Sequence, residues 1–266
     1  MKKAISLLLA LVLCLSLCAC GKSAKAKTVD EMILAIGEVT NDNISDVETA
    51  MEAYDALPEQ DKKTIENYAL LQTAQEKMFY IKYYDLTNRL LEVYNNCQKV
   101  TNDTVIIWDN VGSNGFWNAY EAVRLLSLGL SREEYDKLSI EISGAKAYAT
   151  IWCAARGLCP DNIYDTNKMT DEGQDKTIEL CHSFNKCYDF ISQQMEPLSE
   201  EFKAFKNKYK EDYRDETDTL SDLCLELSMY VDFALEPTGS LTSYTSKNRE
   251  YIDSIDRLAK IIDSYR

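Results

Sequence analysis

An unbroken apolar stripe constrains the fold of this 266-residue chain more than any other feature. Its members alternate in steps of four and three residues: Phe79, Tyr83, Leu86, Leu90, Val93, Cys97, Val100, Thr104 and Ile107. Such a stripe follows one face of a helix and packs against partner helices. The last segment, 104–108 (TVIIW), is β-branched and would also suit a short strand, but the unbroken register favours a helix.

Shorter stripes of the same kind follow, for example at Leu220, Leu223, Leu227 and Tyr230. The chain has only 9 Gly and 4 Pro, too few for a turn-rich β architecture. We predict an all-α fold, in which a short three-helix N-terminal module (28–75) continues into an elongated helical bundle of about five helices (76–266). Pro197 is expected to end one helix, and another is expected from Ser199 with a break near Asp215.

The amino-acid composition argues against several classes of function. The formal net charge is −15, so the chain repels phosphate backbones and we expect no nucleic-acid partner. A single histidine excludes a multi-histidine metal site within one chain. We therefore expect no cofactor and no metal.

The N-terminus contains the strongest targeting signal in the sequence. Lys2 and Lys3 precede an uncharged run, 4–19, which is too short for a bilayer core that needs about 20 residues. The following Leu17-Cys18-Ala19-Cys20-Gly21 resembles the bacterial lipobox. This resemblance implies a signal peptide at 1–19, a diacylglycerol on the Cys20 thiol, and a tether at 20–27. The alternative is an ordinary secretory signal with an incidental Cys20, or an uncleaved anchor.

Two further segments resemble known groups. Thr28-x-x-Glu31 and Ser45-x-x-Glu48 predict helix starts, and Gly37 suits a helix end. The segments AIGEVT and AMEAYDALPEQDKKTIENYALLQTA resemble a small three-helix module, often repeated in Gram-positive surface proteins, which implies a spacer or adhesion-associated unit. The segment EPTGSLTSY with the final helix resembles helical lipoproteins of Gram-positive anaerobes, a group without a known activity. A continuous helix is expected across residues 74–79.

Candidate chemistry is sparse. Beyond Cys20, six cysteines remain whose spacing does not match zinc sites and whose disulfide pairing is left open: Cys97, Cys153, Cys159, Cys181, Cys187 and Cys224. No nucleophile shares the helical face of His182, so we expect no catalytic residues. The loop 161–172 resembles a calcium loop, but Ile163 and Thr166 break the pattern.

Two aromatic residues are the candidate ligand contacts. Trp108 and Trp117 flank the glycine loop VGSNG, where an aromatic shelf would stack on a sugar or grip a peptide. The favoured alternative is that both pin the loop onto the bundle. Lys203, Lys206 and Lys210 are expected to form a solvated helical face rather than a polyanion site.

These observations predict a lipid-anchored extracytoplasmic protein, at the cell membrane of a Gram-positive bacterium, with a binding or structural role and no catalysis. Its expected partners are membrane lipid, through the acylated Cys20, and an unknown protein or wall polymer. The alternative is a cell-envelope enzyme or a substrate-capturing subunit with a pocket in the bundle.

The anchor is directly testable. Cys20→Ser removes the thiol that would receive lipid, so the variant is expected to remain an uncleaved precursor that takes up no radiolabelled fatty acid in growing cells. Cys18→Ser serves as the control and should still be labelled. Unchanged acylation of the Cys20→Ser variant would show that the lipobox assignment is wrong.

Overall fold

The computed structural model describes residues 22–111 and 171–266. Within them lie seven α-helices, a 3₁₀ helix and no strand, which confirms the all-α prediction for these ranges. The helices are α1 (Ala24–Ile36), the 3₁₀ helix (Asn41–Asn43), α2 (Ile44–Asp55), α3 (Glu59–Lys62), α4 (Tyr68–Val111), α5 (Asp171–Tyr209), α6 (Arg214–Leu235) and α7 (Leu241–Asp263). Residues 112–170 of the predicted bundle fall outside the described residues.

The chain divides into two compact units, Met1–Asp85 (unit 1) and Leu86–Arg266 (unit 2). The boundary lies inside α4, ten residues after the predicted end of the small module at residue 75. Met78 is fully buried in the core of unit 1, and Ile81 packs against that core, so the unit needs these later turns of α4. The helix runs without interruption through residues 74–79, as predicted.

Unit 1 begins earlier than the sequence pattern suggested. The predicted flexible tether extended to residue 27, with a helix start at Thr28, but α1 starts at Ala24. Ser23 caps this helix, since its Oγ accepts a hydrogen bond from the Ala26 N–H at 3.1 Å. Thr28 is an interior residue whose hydroxyl donates to the Ala24 carbonyl at 3.1 Å. Ser23 is as good a cap as Thr28, and alanine and lysine between them favour helix.

The connection from α1 to α2 is organised by Asn43. Gly37 ends α1 with φ of 63°, as its predicted role requires. The Asn43 side-chain amide donates to the carbonyls of Ile36 at 2.9 Å and Glu38 at 2.8 Å. Asn43 also precedes the first residue of α2, so the predicted helix cap at Ser45 is wrong by two residues. Asn43 is favoured as the cap of α2 because its side-chain carbonyl oxygen also accepts a hydrogen bond from the Thr40 N–H at 2.8 Å.

Asp30 joins three parts of unit 1. It is only 5% exposed, and its carboxylate accepts from the backbone N–H groups of Glu66 at 3.3 Å and Asn67 at 3.1 Å. It also forms an ion pair with Lys22. These bonds hold the residue before α1, the middle of α1 and the start of α4 together. A carboxylate accepting several buried donors is costly to remove because its partners lose their bonds.

Unit 2 contains the C-terminal part of α4 together with α5, α6 and α7. The predicted stripe of α4 is buried along its whole length, which confirms the heptad interpretation. Helix α6 packs against both α5 and α7. The unit 2 core is built from the buried apolar residues Leu86, Leu90, Val93, Cys97, Val100, Ile107, Phe184, Ile191, Met195, Leu198, Phe202, Leu220, Leu223, Leu227, Tyr230, Val231, Ala234, Tyr244, Ile255, Leu258 and Ile262.

Pro197 does not end a helix, contrary to the sequence expectation, because α5 continues through it to Tyr209. Proline removes one backbone hydrogen bond of the helix ladder. Met195, Leu198 and Phe202 are nevertheless buried on one stripe that spans the proline, so tertiary packing compensates for the lost bond. The break predicted near Asp215 is confirmed, since α6 starts at Arg214.

Among the described helices, none is long and apolar enough to cross a bilayer.

The role of Asp30 gives a stability prediction. Asp30→Ala should destabilise unit 1 by about 2–4 kcal/mol, because Lys22 and two backbone N–H groups lose a buried charged acceptor. Native-state hydrogen exchange at the amides of Glu66 and Asn67 measures the effect. Glu52→Ala, at an exposed position of α2, should change stability by less than about 0.5 kcal/mol. Equal exchange rates in the two variants would contradict the assignment.

Candidate ligand groove

Of the three site residues predicted from the sequence, the structure describes only Trp108. Cys20 and Trp117 lie outside the described residues. Trp108 is 4% exposed, and its ring contacts that of Tyr244 with centroids 5.6 Å apart. This packing matches the alternative in which Trp108 is an anchor of the bundle. A ligand contact by the pair Trp108 and Trp117 remains a prediction.

A groove lies between α5 and α6 in unit 2, within the described residues. It consists of two adjoining cavities of about 510 and 380 Å³, which share Ser199, Lys203 and Ser228. We call this surface the α5–α6 groove. The first cavity is lined by Ser199, Phe202, Lys203, Lys206, Asn207, Ser221, Cys224, Leu225 and Ser228.

The groove follows from the sequence of two facing ridges. Along α5 the lining residues Ser199, Phe202, Lys203 and Lys206 recur at helical spacing, and along α6 Ser221, Cys224, Leu225 and Ser228 do the same. Three of the four α6 side chains are small, Ser221, Cys224 and Ser228, and so is Ser199 of α5. Leucine-sized residues at these positions would fill the space between two packed helices. The two helices therefore pack at depth and leave an open channel along their outer seam.

The floor and rim differ in polarity. Phe202, Cys224 and Val231 are buried and form an apolar floor. Leu225 stands at the rim with 61% of its surface exposed, and Met229, one turn further along α6, is also exposed. Positions four apart share a helix face, so the two make a small apolar patch beside the groove.

Charges at the groove are largely paired. Lys203 lies 2.5 Å from Glu200, and Lys206 lies 3.0 Å from Asp218 across the two helices. Glu196, Glu200 and Asp232 line the second cavity. The groove therefore has no strong net charge of either sign, and its ligand selectivity would come from apolar contact at the rim.

Cys224 is the one thiol in the groove lining, and little of it is exposed to solvent. It is 7% exposed, and its Sγ lies 3.7 Å from the Ser199 hydroxyl. Burial raises the pKa of Cys224, while the hydrogen bond with Ser199 and the positive charge of Lys203 oppose that rise. Since the thiolate is the reactive form, a thiol with a raised pKa is a poor nucleophile at neutral pH.

Hydrogen bonds between polar side chains of different helices fix the bundle of unit 2. The Tyr230 hydroxyl donates to Asn248 at 2.8 Å and lies 2.9 Å from the Thr101 hydroxyl, which joins α4, α6 and α7. The Tyr94 hydroxyl donates to Asp256 at 2.7 Å. Burial raises the pKa of both tyrosines, and the bond with Asp256 adds to the rise at Tyr94. These groups stay protonated and act as structural donors.

The described residues offer little for catalysis. No group of three or more His, Cys, Asp and Glu in them is placed to hold a metal ion. Cys97, Cys187 and Cys224 are free buried thiols, as the stripe position of Cys97 indicated. His182 is half-buried on α5, in keeping with the expected structural role. Residues 161–170 of the calcium-like loop and the pair Cys153 and Cys159 lie outside the described ranges, and the last two residues of the loop begin α5.

Comparison with protein-family models, with curated proteins and with solved structures gave no significant match to this chain.

Sequence reasoning missed the groove, although part of its signal is visible. Leu225 and Met229 lie about 200° around α6 from the buried stripe that contains Leu223 and Leu227. Apolar residues away from the buried stripe mark an exposed face. The groove itself depends on which face of α5 meets α6, and no spacing within one helix reveals that.

The environment of Cys224 predicts slow alkylation. In the native protein at pH 8, iodoacetamide should modify Cys224 more than about tenfold slower than in the unfolded chain, because burial and a raised pKa suppress the thiolate. Peptide mass spectrometry measures the rate.

A matched pair of variants tests whether the raised pKa of Cys224 causes the slow alkylation. Ser199→Ala removes the bond that lowers the pKa and should slow the reaction further, whereas Ser221→Ala, which removes the same atom elsewhere in the lining, should not. If both variants accelerate the reaction, access rather than pKa controls it.

Proposed function

We propose that this protein is a membrane-anchored bacterial lipoprotein of the cell envelope, with a non-catalytic binding role carried by the α5–α6 groove. The anchoring part rests on the lipobox-like segment ending at Cys20. The binding part rests on one observation: the exposed side chain of Leu225 at the rim of an apolar-floored groove.

The chemistry of the rim favours a protein segment as the partner. Leu225 and Met229 gain free energy only when a partner covers them with apolar groups, at about 25 cal/mol per Å² of buried apolar surface. Wall polymers of sugars and phosphates offer few such groups. The paired charges of Lys203 and Lys206 also leave little unsatisfied positive potential for a polyanion.

Unit 1 would then serve as the spacer between the lipid and the bundle along the chain. Its sequence resembles spacer modules of surface proteins. Its described residues form a packed core of their own. We therefore propose that partner binding resides in unit 2.

Photo-crosslinking tests the proposal with a closely matched control. The photoreactive residue benzoylphenylalanine replaces Leu225 in one variant and Leu34 in the other, since these side chains are 61% and 60% exposed. Irradiated envelopes should give one discrete adduct from position 225 and none from position 34, because only position 225 borders the groove.

The chemical nature of the adduct decides the partner class. A band that disappears with protease but resists wall hydrolases supports a protein partner, and the reverse supports a wall polymer. Leu225→Glu should abolish binding of the captured partner to purified protein, while Leu34→Glu should not. No adduct at 225, or identical adducts at both positions, would contradict the groove as binding surface.

A further inference from the structure

The N-terminal end of unit 1 is the part of the described chain nearest to Cys20. Lys22 pairs with Asp30 and lies 3.4 Å from Glu66, and the Ser23 hydroxyl donates to Asp61 at 2.7 Å. The chain is therefore fixed to unit 1 from residue 22 onward. This differs from a flexible tether, which would let the unit sit at any distance from its anchor.

Covalent geometry limits how far this end can lie from position 20. The two peptide steps from Cys20 to Lys22 span at most about 7 Å when extended. A diacylglycerol on Cys20 would place its glycerol at the headgroup level of the bilayer. Lys22 and the surface around it would then lie within reach of the phospholipid headgroups.

The same end presents lysines that are free to contact headgroups. Five of the seven lysines of residues 22–85 lie here: Lys22, Lys25, Lys27, Lys62 and Lys63. The hydrogen bond between Ser23 and Asp61 brings α3 and its lysines to the start of α1. Lys25, Lys27 and Lys63 are exposed and, among the described residues, take part in no ion pair.

The carboxylates at this end are mostly engaged within the unit. Asp30 is held by Lys22 and backbone donors, Asp61 by Ser23, and Glu59 by Lys62 at 3.1 Å. Glu66 is shared with Lys22, and Asp55 acts on Lys62. Residues 22–30 and 58–67 hold five lysines and four carboxylates, whereas the rest of residues 22–85 holds two lysines and nine carboxylates, so this end is the least negative part of unit 1.

We infer that the end of unit 1 formed by the start of α1 and by α3 is a membrane-contact surface, on which Lys25, Lys27 and Lys63 bind the phosphates of anionic lipids. This inference rests on the proposed lipid anchor for its location. Each lysine at an anionic surface adds roughly fivefold to membrane partitioning. The contact would seat unit 1 on a surface that repels the strongly acidic chain as a whole.

Lysine footprinting on anchored protein tests the inference. The chain from residue 20, with Cys20→Ser, is ligated through its N-terminal serine to a synthetic diacyl lipid and placed on vesicles. The vesicles contain phosphatidylcholine alone or phosphatidylcholine with phosphatidylglycerol. Acetylation of Lys25, Lys27 and Lys63 should fall severalfold on the anionic vesicles, whereas exposed Lys77 should react equally on both.

Charge variants separate this surface from general attraction. Replacing Lys25, Lys27 and Lys63 by Gln should abolish the salt-sensitive binding of the unlipidated chain to anionic vesicles. The same replacement at the exposed Lys77, Lys210 and Lys260 should leave it unchanged. Equal footprints on both vesicle types, or equal loss in both triple variants, would overturn the inference.

The synthetic anchor keeps the two proposals distinct. If native Cys20 takes up no acyl label, the anchor proposal fails, whatever the footprint shows. If Cys20 is labelled but the lysines are acetylated equally on both vesicle types, only the proposed membrane-contact surface is rejected. Protection of the three lysines by soluble polyglycerol phosphate, without protection by vesicles, would assign the surface to a wall polymer and exclude the membrane contact.

Discussion

Burial of one face of α4 is the interaction on which both units depend. Leu71, Ala74 and Met78 enter the core of unit 1, and the stripe from Leu86 to Ile107 enters the core of unit 2. Each large apolar side chain buried in this way contributes about 1.5–3 kcal/mol of transfer free energy. An isolated helix has no such term, so the helical state of this segment is maintained by the elements that pack on it.

Apolar burial alone would not select one arrangement of the bundle. Helices with heptad stripes pack in several registers of similar energy, and a buried polar pair penalises all registers that separate its members. Tyr230 with Thr101 and Asn248, and Tyr94 with Asp256, satisfy their hydroxyls only when α4, α6 and α7 stand in the observed register. These bonds also stiffen the helix that carries one wall of the groove.

The features that sequence predicted well are those repeated along a single helix. The α4 stripe and the α6 residues Leu220 and Leu227 are buried as expected, because helical period and burial are linked directly. The predicted helix starts were misplaced because several cap residues compete. Ser23 forms a hydrogen bond with Asp61 in α3, and Asn43 forms one with the last residue of α1.

Features that depend on two elements at once were not predictable from spacing. Proline weakens a helix locally, yet the burial of Met195 and Leu198 on either side of Pro197 outweighs that loss. The α5–α6 groove likewise requires the small residues of α6 to face Ser199 and its larger neighbours on α5. Such pairings are set by the global packing, and a single stripe contains no information about its partner.

The buried thiols connect the fold with the proposed location outside the cytoplasm. An oxidising compartment converts accessible cysteine pairs into disulfides, and a free thiol persists there only when it reacts slowly. Cys97, Cys187 and Cys224 are buried, and desolvation raises the pKa of each, so little thiolate is present at neutral pH. The same dense packing that forms the bundle core therefore keeps these three thiols poorly reactive.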